Sequence, residues 1–206
     1  MEGRLALMME AKTVRAFHYS RLTDREVELI RGQGVQPTST EFLRERLDGL
    51  IGEGVLAPEL ADVINCGSPL HSQAYGVRLG MFWMTAVPAH PADPGVELLL
   101  ASWGGESAYW CVTDDSIAEV LRSIGRPRVI EIAVRLSVAA HRPAYQAATC
   151  VLSVKASELG FPPDRSGMDL CVTTALPPEQ ILAVHTEGEE SFHLLHSQAM
   201  QSSLQC

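Results

Sequence analysis

The sequence predicts an α+β fold, and three observations predict it. Hydrophobic residues make up 46% of the chain and charged residues 20%, the balance of a chain that buries a core rather than one that stays disordered. Its 206 residues suffice for one domain with a full interior. Helix-period and strand-period segments both occur, without the regular alternation that builds a parallel sheet: helices concentrate in the N-terminal third, and strands and helices mix afterwards.

The elements follow in order. Residues 1–16 have weak periodicity and read as a loosely packed lead-in. Phe17 to Leu22 (FHYSRL) reads as a short strand running into a helix. Thr23 and Glu26 form the T-x-x-E capping box, in which each side chain satisfies a backbone N–H near the helix start. Leu22 and Val27 are spaced as a hydrophobic staple, and Gly32 and Gly34 end the helix. Thr40 is placed to cap the next helix, with Leu43, Leu47, Leu50 and Ile51 on one face. Pro58 suits the first turn of a further helix.

Met81 to Val87 (MFWMTAV) reads as a buried strand, Val96 to Ser102 as a short helix, and Ala108 to Val112 (AYWCV) as another strand. Asp114 or Asp115 caps a helix that Gly125 closes. Val129 to Val138 alternates Ile130, Ile132, Val134, Leu136 and Val138 with Glu131, Ala133, Arg135 and Ser137, the period of a half-buried strand. Residues 144–159 read as a helix with Tyr145, Ala148, Leu152 and Leu159 inward. Met168 to Leu176 and Ile181 to His185 read as strands. The polar residues 197–206 read as a flexible tail, which leaves 17–196 as the single domain.

Charge and cysteine usage narrow the function. A net charge of −9 disfavours duplex nucleic acid as a partner, because basic residues must replace counterions along its backbone. Arg126 and Arg128 flank Pro127 and are expected to be solvated. The five cysteines are odd in number and scattered, as reduced thiols in the cytoplasm would be. The first twenty residues hold no apolar run flanked by basic residues, and no apolar segment approaches the ~20 residues of a membrane helix; a cytoplasmic protein without membrane contact is expected. His193 and His196 form H-x-x-H without supporting cysteines or carboxylates, so no metal is expected. No nucleotide-binding glycine loop, zinc-protease helix or nucleophile elbow occurs.

The segment FHYSRLTDREVELIRGQGVQP resembles the opening of ADP-ribosyltransferases, especially the DNA-modifying toxins, and of the related RNA 2′-phosphotransferases. There a strand His is followed by a small polar or aromatic residue and a helix that ends at a glycine. The segment DLCVTTALPPEQILAV resembles their closing strand, which an acidic residue opens. The resemblance implies an ADP-ribosyltransferase-like split β-sandwich and NAD as substrate, without a metal. It implies NAD binding by His18, with Tyr19 and Ser20 adjacent. It gives Asp169 the place of the family's catalytic glutamate, one methylene shorter. GMFWMT and SWGGESAYW match the family's centre more loosely and add Phe82, Trp83 and Thr85 as cleft candidates, Glu106 as an alternative acid and Tyr109 beside the nicotinamide. The implied activity is mono-ADP-ribosylation of a macromolecular target, in the manner of a toxin or effector. The other reading is a catalytically silent domain of the same fold that binds a nucleotide or a protein. Each residue also has a structural reading: His18 as a buried strand histidine, Asp169 as a turn cap, the aromatics as core, and Trp103-Gly104-Gly105 as a tight loop packed on its indole.

Overall fold

A computed structural model describes residues 2–72, 78–110, 112, 114–161, 168–195 and 197. Five strands form one antiparallel sheet: β1 (Thr13–Leu22), β2 (Phe82–Thr85), β3 (Arg126–Arg135), β4 (Asp169–Val172) and β5 (Ile181–Thr186), in the order β4-β2-β1-β3-β5. The helices include α1 (Glu2–Glu10), α2 (Asp24–Gln33), α3 (Thr40–Gly52), α4 (Pro58–Gly67), α5 (Glu97–Ala101), α6 (Glu106–Tyr109), α7 (Asp115–Ser123) and α8 (Pro143–Glu158), and residues 190–195 are helical as well. The mixed α+β character is as expected. So is the weighting of helices to the first third: α1 to α4 all lie there, and α5 to α8 are interspersed with strands in the rest.

The sheet is built on β1 and β3, which pair along ten residues from Thr13↔Arg135 to Leu22↔Arg126. Alternation sends β1 side chains to two faces. Ala16 and Leu22 join Phe82, Met84, Ile130, Ile132, Leu170 and Val172 in one core, with Val27 of α2 and Ala147 of α8. Phe17, Tyr19 and Val129 point the other way, into a core with Val96, Leu100, Phe192 and Leu195. Both faces of β3 are therefore covered, and Val129 and Glu131, expected on a half-exposed strand, are buried. A third core lies beside the sheet: α3, α4, α6 and α7 close around Trp103, which is fully buried.

Local signals set most of the boundaries. Thr23 Oγ1 accepts from the Glu26 N–H at 3.2 Å, and Glu26 Oε2 accepts from the Thr23 N–H at 2.8 Å, completing the capping box. Ser39, one residue before the expected Thr40, caps α3 by accepting from the Phe42 N–H at 3.0 Å. Pro58 begins α4 and Asp114 caps α7. Gly34 has φ +81, and a Cβ there would lie 1.9 Å from the Leu176 carbonyl oxygen, so only glycine lets α2 end against that segment.

Four expectations change. Residues 1–16 are not a loose lead-in: α1 packs on α8, and β1 begins at Thr13. The strand expected at Ala108 to Val112 does not form in its described part, because two left-handed glycines, Gly104 and Gly105, turn the chain into the short helix α6. In α8 the inward face is Ala144, Ala147 and Ala148, while Tyr145 and Leu159 are exposed; small side chains allow the close approach of its neighbours. Arg128 is buried rather than solvated, donating to the Thr23 carbonyl at 3.1 Å and pairing with Asp24. Residues 198–206, most of the expected tail, and His196 lie outside the described residues, as does Cys111. Among the described residues no helix is long and apolar enough to cross a membrane.

Candidate functional site

The sheet opens at one place. β1 and β2 are joined by the single pair Phe17↔Thr85. Beyond it the two strands part, and the helical core packs against β1 through the bridge Arg21↔Trp103. A cleft of about 750 Å³ occupies the opening. His18, Ser20, Thr85, Glu106 and Asp169 all line it. They come from β1, β2, α6 and the start of β4, so the parting of the strands brings together residues far apart in sequence.

His18 stands where the ladder is interrupted. Its Nδ1 lies 2.8 Å from the Trp83 carbonyl oxygen. A carbonyl only accepts, so Nδ1 carries the proton and Nε2 is left as an acceptor. The ring stacks on Phe82, centroids 4.4 Å apart. Burial lowers its pKa to about 4, against the opposing effect of the Trp83 carbonyl and with help from the charge of Arg46. His18 is thus neutral near pH 7, in one tautomer and one orientation: a fixed hydrogen-bond acceptor suited to a hydroxyl.

The other candidates differ in how free they are. Tyr19 borders the cleft, but its hydroxyl accepts from the Ala89 N–H at 2.7 Å and donates to the Ala89 carbonyl at 3.3 Å. Burial raises its pKa to about 12. Its role is to fasten the 86–95 loop to the sheet. Thr85 Oγ1 donates to the Val87 carbonyl at 3.2 Å, closing a local turn. Asp169 is exposed at the first position of β4, directly opposite Thr85. Glu106 pairs with Arg78 at 3.3 Å, and that guanidinium also lies 5.3 Å from the centroid of the Trp83 ring. Tyr109 does not line the cleft; it packs against the helical core. Of the aromatic candidates, Phe82 and Trp83 both contribute to the cleft wall.

Arg46, on α3, is a cleft residue that sequence reading missed. Its Nε donates to Glu26 Oε1 at 2.7 Å, and its guanidinium lies 4.5 Å from the Trp103 ring centroid. Glu26 also accepts from the Trp103 indole N–H at 3.0 Å. One carboxylate therefore joins the α2 cap, α3 and the Trp103 segment that leads into α6. Nothing in the sequence separates Arg46 from its helix neighbour Arg44, which bonds Asp48 and Asp62 at the surface. The paired glycines after Trp103 also have a local cause, since a Cβ on Gly104 would come within 2.5 Å of the Ala108 Cβ. No group of histidine, cysteine and carboxylate side chains among the described residues is arranged to hold a metal ion.

No protein-family model, curated protein or solved structure matches the chain.

Proposed function

We propose that this chain is an NAD-dependent mono-ADP-ribosyltransferase with an ADP-ribosyltransferase-like split β-sandwich, acting on a macromolecular target in the manner of a toxin or effector. The observation that carries the reading is the neutral, tautomer-fixed His18 at the parting of β1 and β2, in one cleft with Asp169 and Glu106. In the reaction the bond between the nicotinamide nitrogen and ribose C1′ breaks, and nicotinamide leaves with the electron pair. A nucleophile of the target then bonds to C1′ and gives up its proton. A carboxylate near C1′ stabilises the positive charge that develops, most effectively in a site with little water. Asp169 holds the position that the resemblance gives to this carboxylate, and Glu106 is the second acid within the cleft. His18 Nε2 supplies an acceptor for a ribose hydroxyl, and Phe82, stacked on the His18 ring, supplies an aromatic surface beside it.

A second reading has its own support. Asp169 is a methylene shorter than the residue it replaces, and a misplacement of about 1 Å can cost on the order of 100-fold in rate. Glu106 is engaged by Arg78. A catalytically silent domain of the same fold, binding a nucleotide or a protein, accounts for both.

Thermal unfolding with and without millimolar NAD tests the binding that both nucleotide readings need. Saturation at a hundred times the dissociation constant stabilises by about 2.7 kcal/mol. Wild type is expected to gain stability with NAD, and His18→Ala to gain none relative to its own ligand-free value. No gain in either protein defeats the NAD reading and leaves protein binding.

A further inference from the structure

The cleft has a second chamber. A cavity of about 270 Å³ lies between α2 and α3, walled by apolar groups that include Leu29, Ile30 and Val35. It shares His18, Ser20, Phe42 and Arg46 with the larger cleft of about 750 Å³. A ligand that fills both chambers passes Arg46.

Arg46 is unfinished as a hydrogen-bonding group. Glu26 takes its Nε, and Phe42 and Trp103 flank its guanidinium at 5.8 and 4.5 Å from their ring centroids. Its Nη2 is buried and has no hydrogen-bond partner. A buried donor on a cation is costly to leave unmade, and a guanidinium presents its N–H groups as a rigid fork that matches phosphate oxygens. The other arginines of the two chambers are engaged elsewhere. Arg78 pairs with Glu106 at 3.3 Å, and Arg25, about half exposed, pairs with Glu53 at 3.0 Å.

We propose that Arg46 is the anion anchor of the cleft and holds the phosphates of a ligand whose two ring-bearing ends occupy the chambers on either side. Two partly apolar chambers joined at a cation with an unused N–H describe a ligand of matching form, two ring-bearing ends linked by a diphosphate. This deepens, and rests on, the reading of the cleft as a dinucleotide site. Glu26 fixes the guanidinium through Nε, while Nη2 is without a partner.

Calorimetric titration of the full chain with ADP and with adenosine tests it, because the two probes differ only in the phosphates. Wild type is expected to bind ADP at least about tenfold more tightly than adenosine, the worth of one charge-assisted contact. Arg46→Gln should lose about that factor for ADP while adenosine changes by less than about twofold. Should Arg46→Gln fail to fold, Arg46→Lys keeps a charge opposite Glu26 but loses the fork, and should weaken ADP alone by about threefold or more. Equal losses for both probes would mean a structural role, and wild type binding ADP no better than adenosine would mean no anchor; either result overturns the proposal. NAD titrated in parallel separates the two claims. If Arg46→Gln binds NAD and ADP as wild type does, the anchor fails and the functional reading stands. If ADP behaves as expected but NAD does not bind, the anchor stands and the functional reading fails.

Discussion

Replacing Glu26 by glutamine tests whether one carboxylate ties the cleft together. The change is nearly isosteric; it removes the charge and turns one of the two accepting oxygens into a donor. Glu26 and Arg46 have side chains 12% and 16% exposed and meet at 2.7 Å. Burial alone would push the Glu26 carboxyl up. The charge of Arg46, with the N–H groups of Thr23, Arg46 and Trp103, outweighs burial and holds it below its ordinary 4.5. Breaking a fully buried pair by neutralising one partner costs about 3–5 kcal/mol. Residual solvent access reduces that here to about 2–3 kcal/mol. With a urea dependence of about 2–3 kcal/mol per molar, the unfolding midpoint of Glu26→Gln should fall by about 1 M at pH 7. The sign of the pH dependence follows from the lowered pKa. The stabilisation is fully present above 4.5 and is lost as pH falls through the lower folded-state value. The gap between wild type and variant should therefore narrow in acid. A midpoint within about 0.2 M of wild type at pH 7, or a gap that persists undiminished at the lowest pH where both proteins fold, refutes the role given to Glu26.

Other expectations are simpler to state. Thr23→Ala removes the side-chain half of the capping box and should cost about 1 kcal/mol, read by chemical unfolding. Gly34→Ala forces a Cβ into the Leu176 carbonyl in a left-handed backbone, and should cost more than about 2 kcal/mol or yield little folded protein. His18 has a folded-state pKa lowered from 6.5 to about 4. The unfolded chain thus binds more protons in that window, and wild-type stability should fall with acid by up to about 1.4 kcal/mol per pH unit. His18→Gln should flatten that slope, and an unchanged slope counts against the neutral ring. Asp169→Glu restores the missing methylene and should raise NAD turnover if Asp169 is the acid at C1′; a drop comparable to that of Asp169→Asn would assign the chemistry elsewhere.

The sequence disclosed what local chemistry controls. The Thr23–Glu26 box, Pro58 at the start of α4 and the Asp114 cap are short-range signals, and each helix starts where its signal lies; the apolar run expected as a strand over Val129 to Val138 pairs instead over Arg126–Arg135, with Leu136–Val138 in a 3-10 turn. What failed depended on distant partners. In α1 the periodicity is too weak to announce a helix, and its place comes from packing on α8. The aromatic run AYWCV has strand propensity, but the backbone set by Gly104 and Gly105 overrides it. Arg128 looked solvated beside Pro127, whereas β1 pairing buries it against the α2 cap. The same division holds in the site. His18, Ser20, Thr85, Glu106 and Asp169 were legible as candidates from local resemblance, and the parting of β1 from β2 brings them to one cleft. The commitment of Tyr19 to Ala89, the placement of Tyr109 in the helical core and the joint role of Glu26, Arg46 and Trp103 arise only from tertiary contacts. No spacing rule links residues 26, 46 and 103.

The most direct measurement is free nicotinamide released from NAD by the full chain, followed over time for wild type, Asp169→Asn and Glu106→Gln. The account predicts release by wild type above the no-enzyme rate and a loss on the order of 100-fold in at least one variant. Wild type that binds NAD but releases no nicotinamide, or release that both variants leave intact, would contradict it.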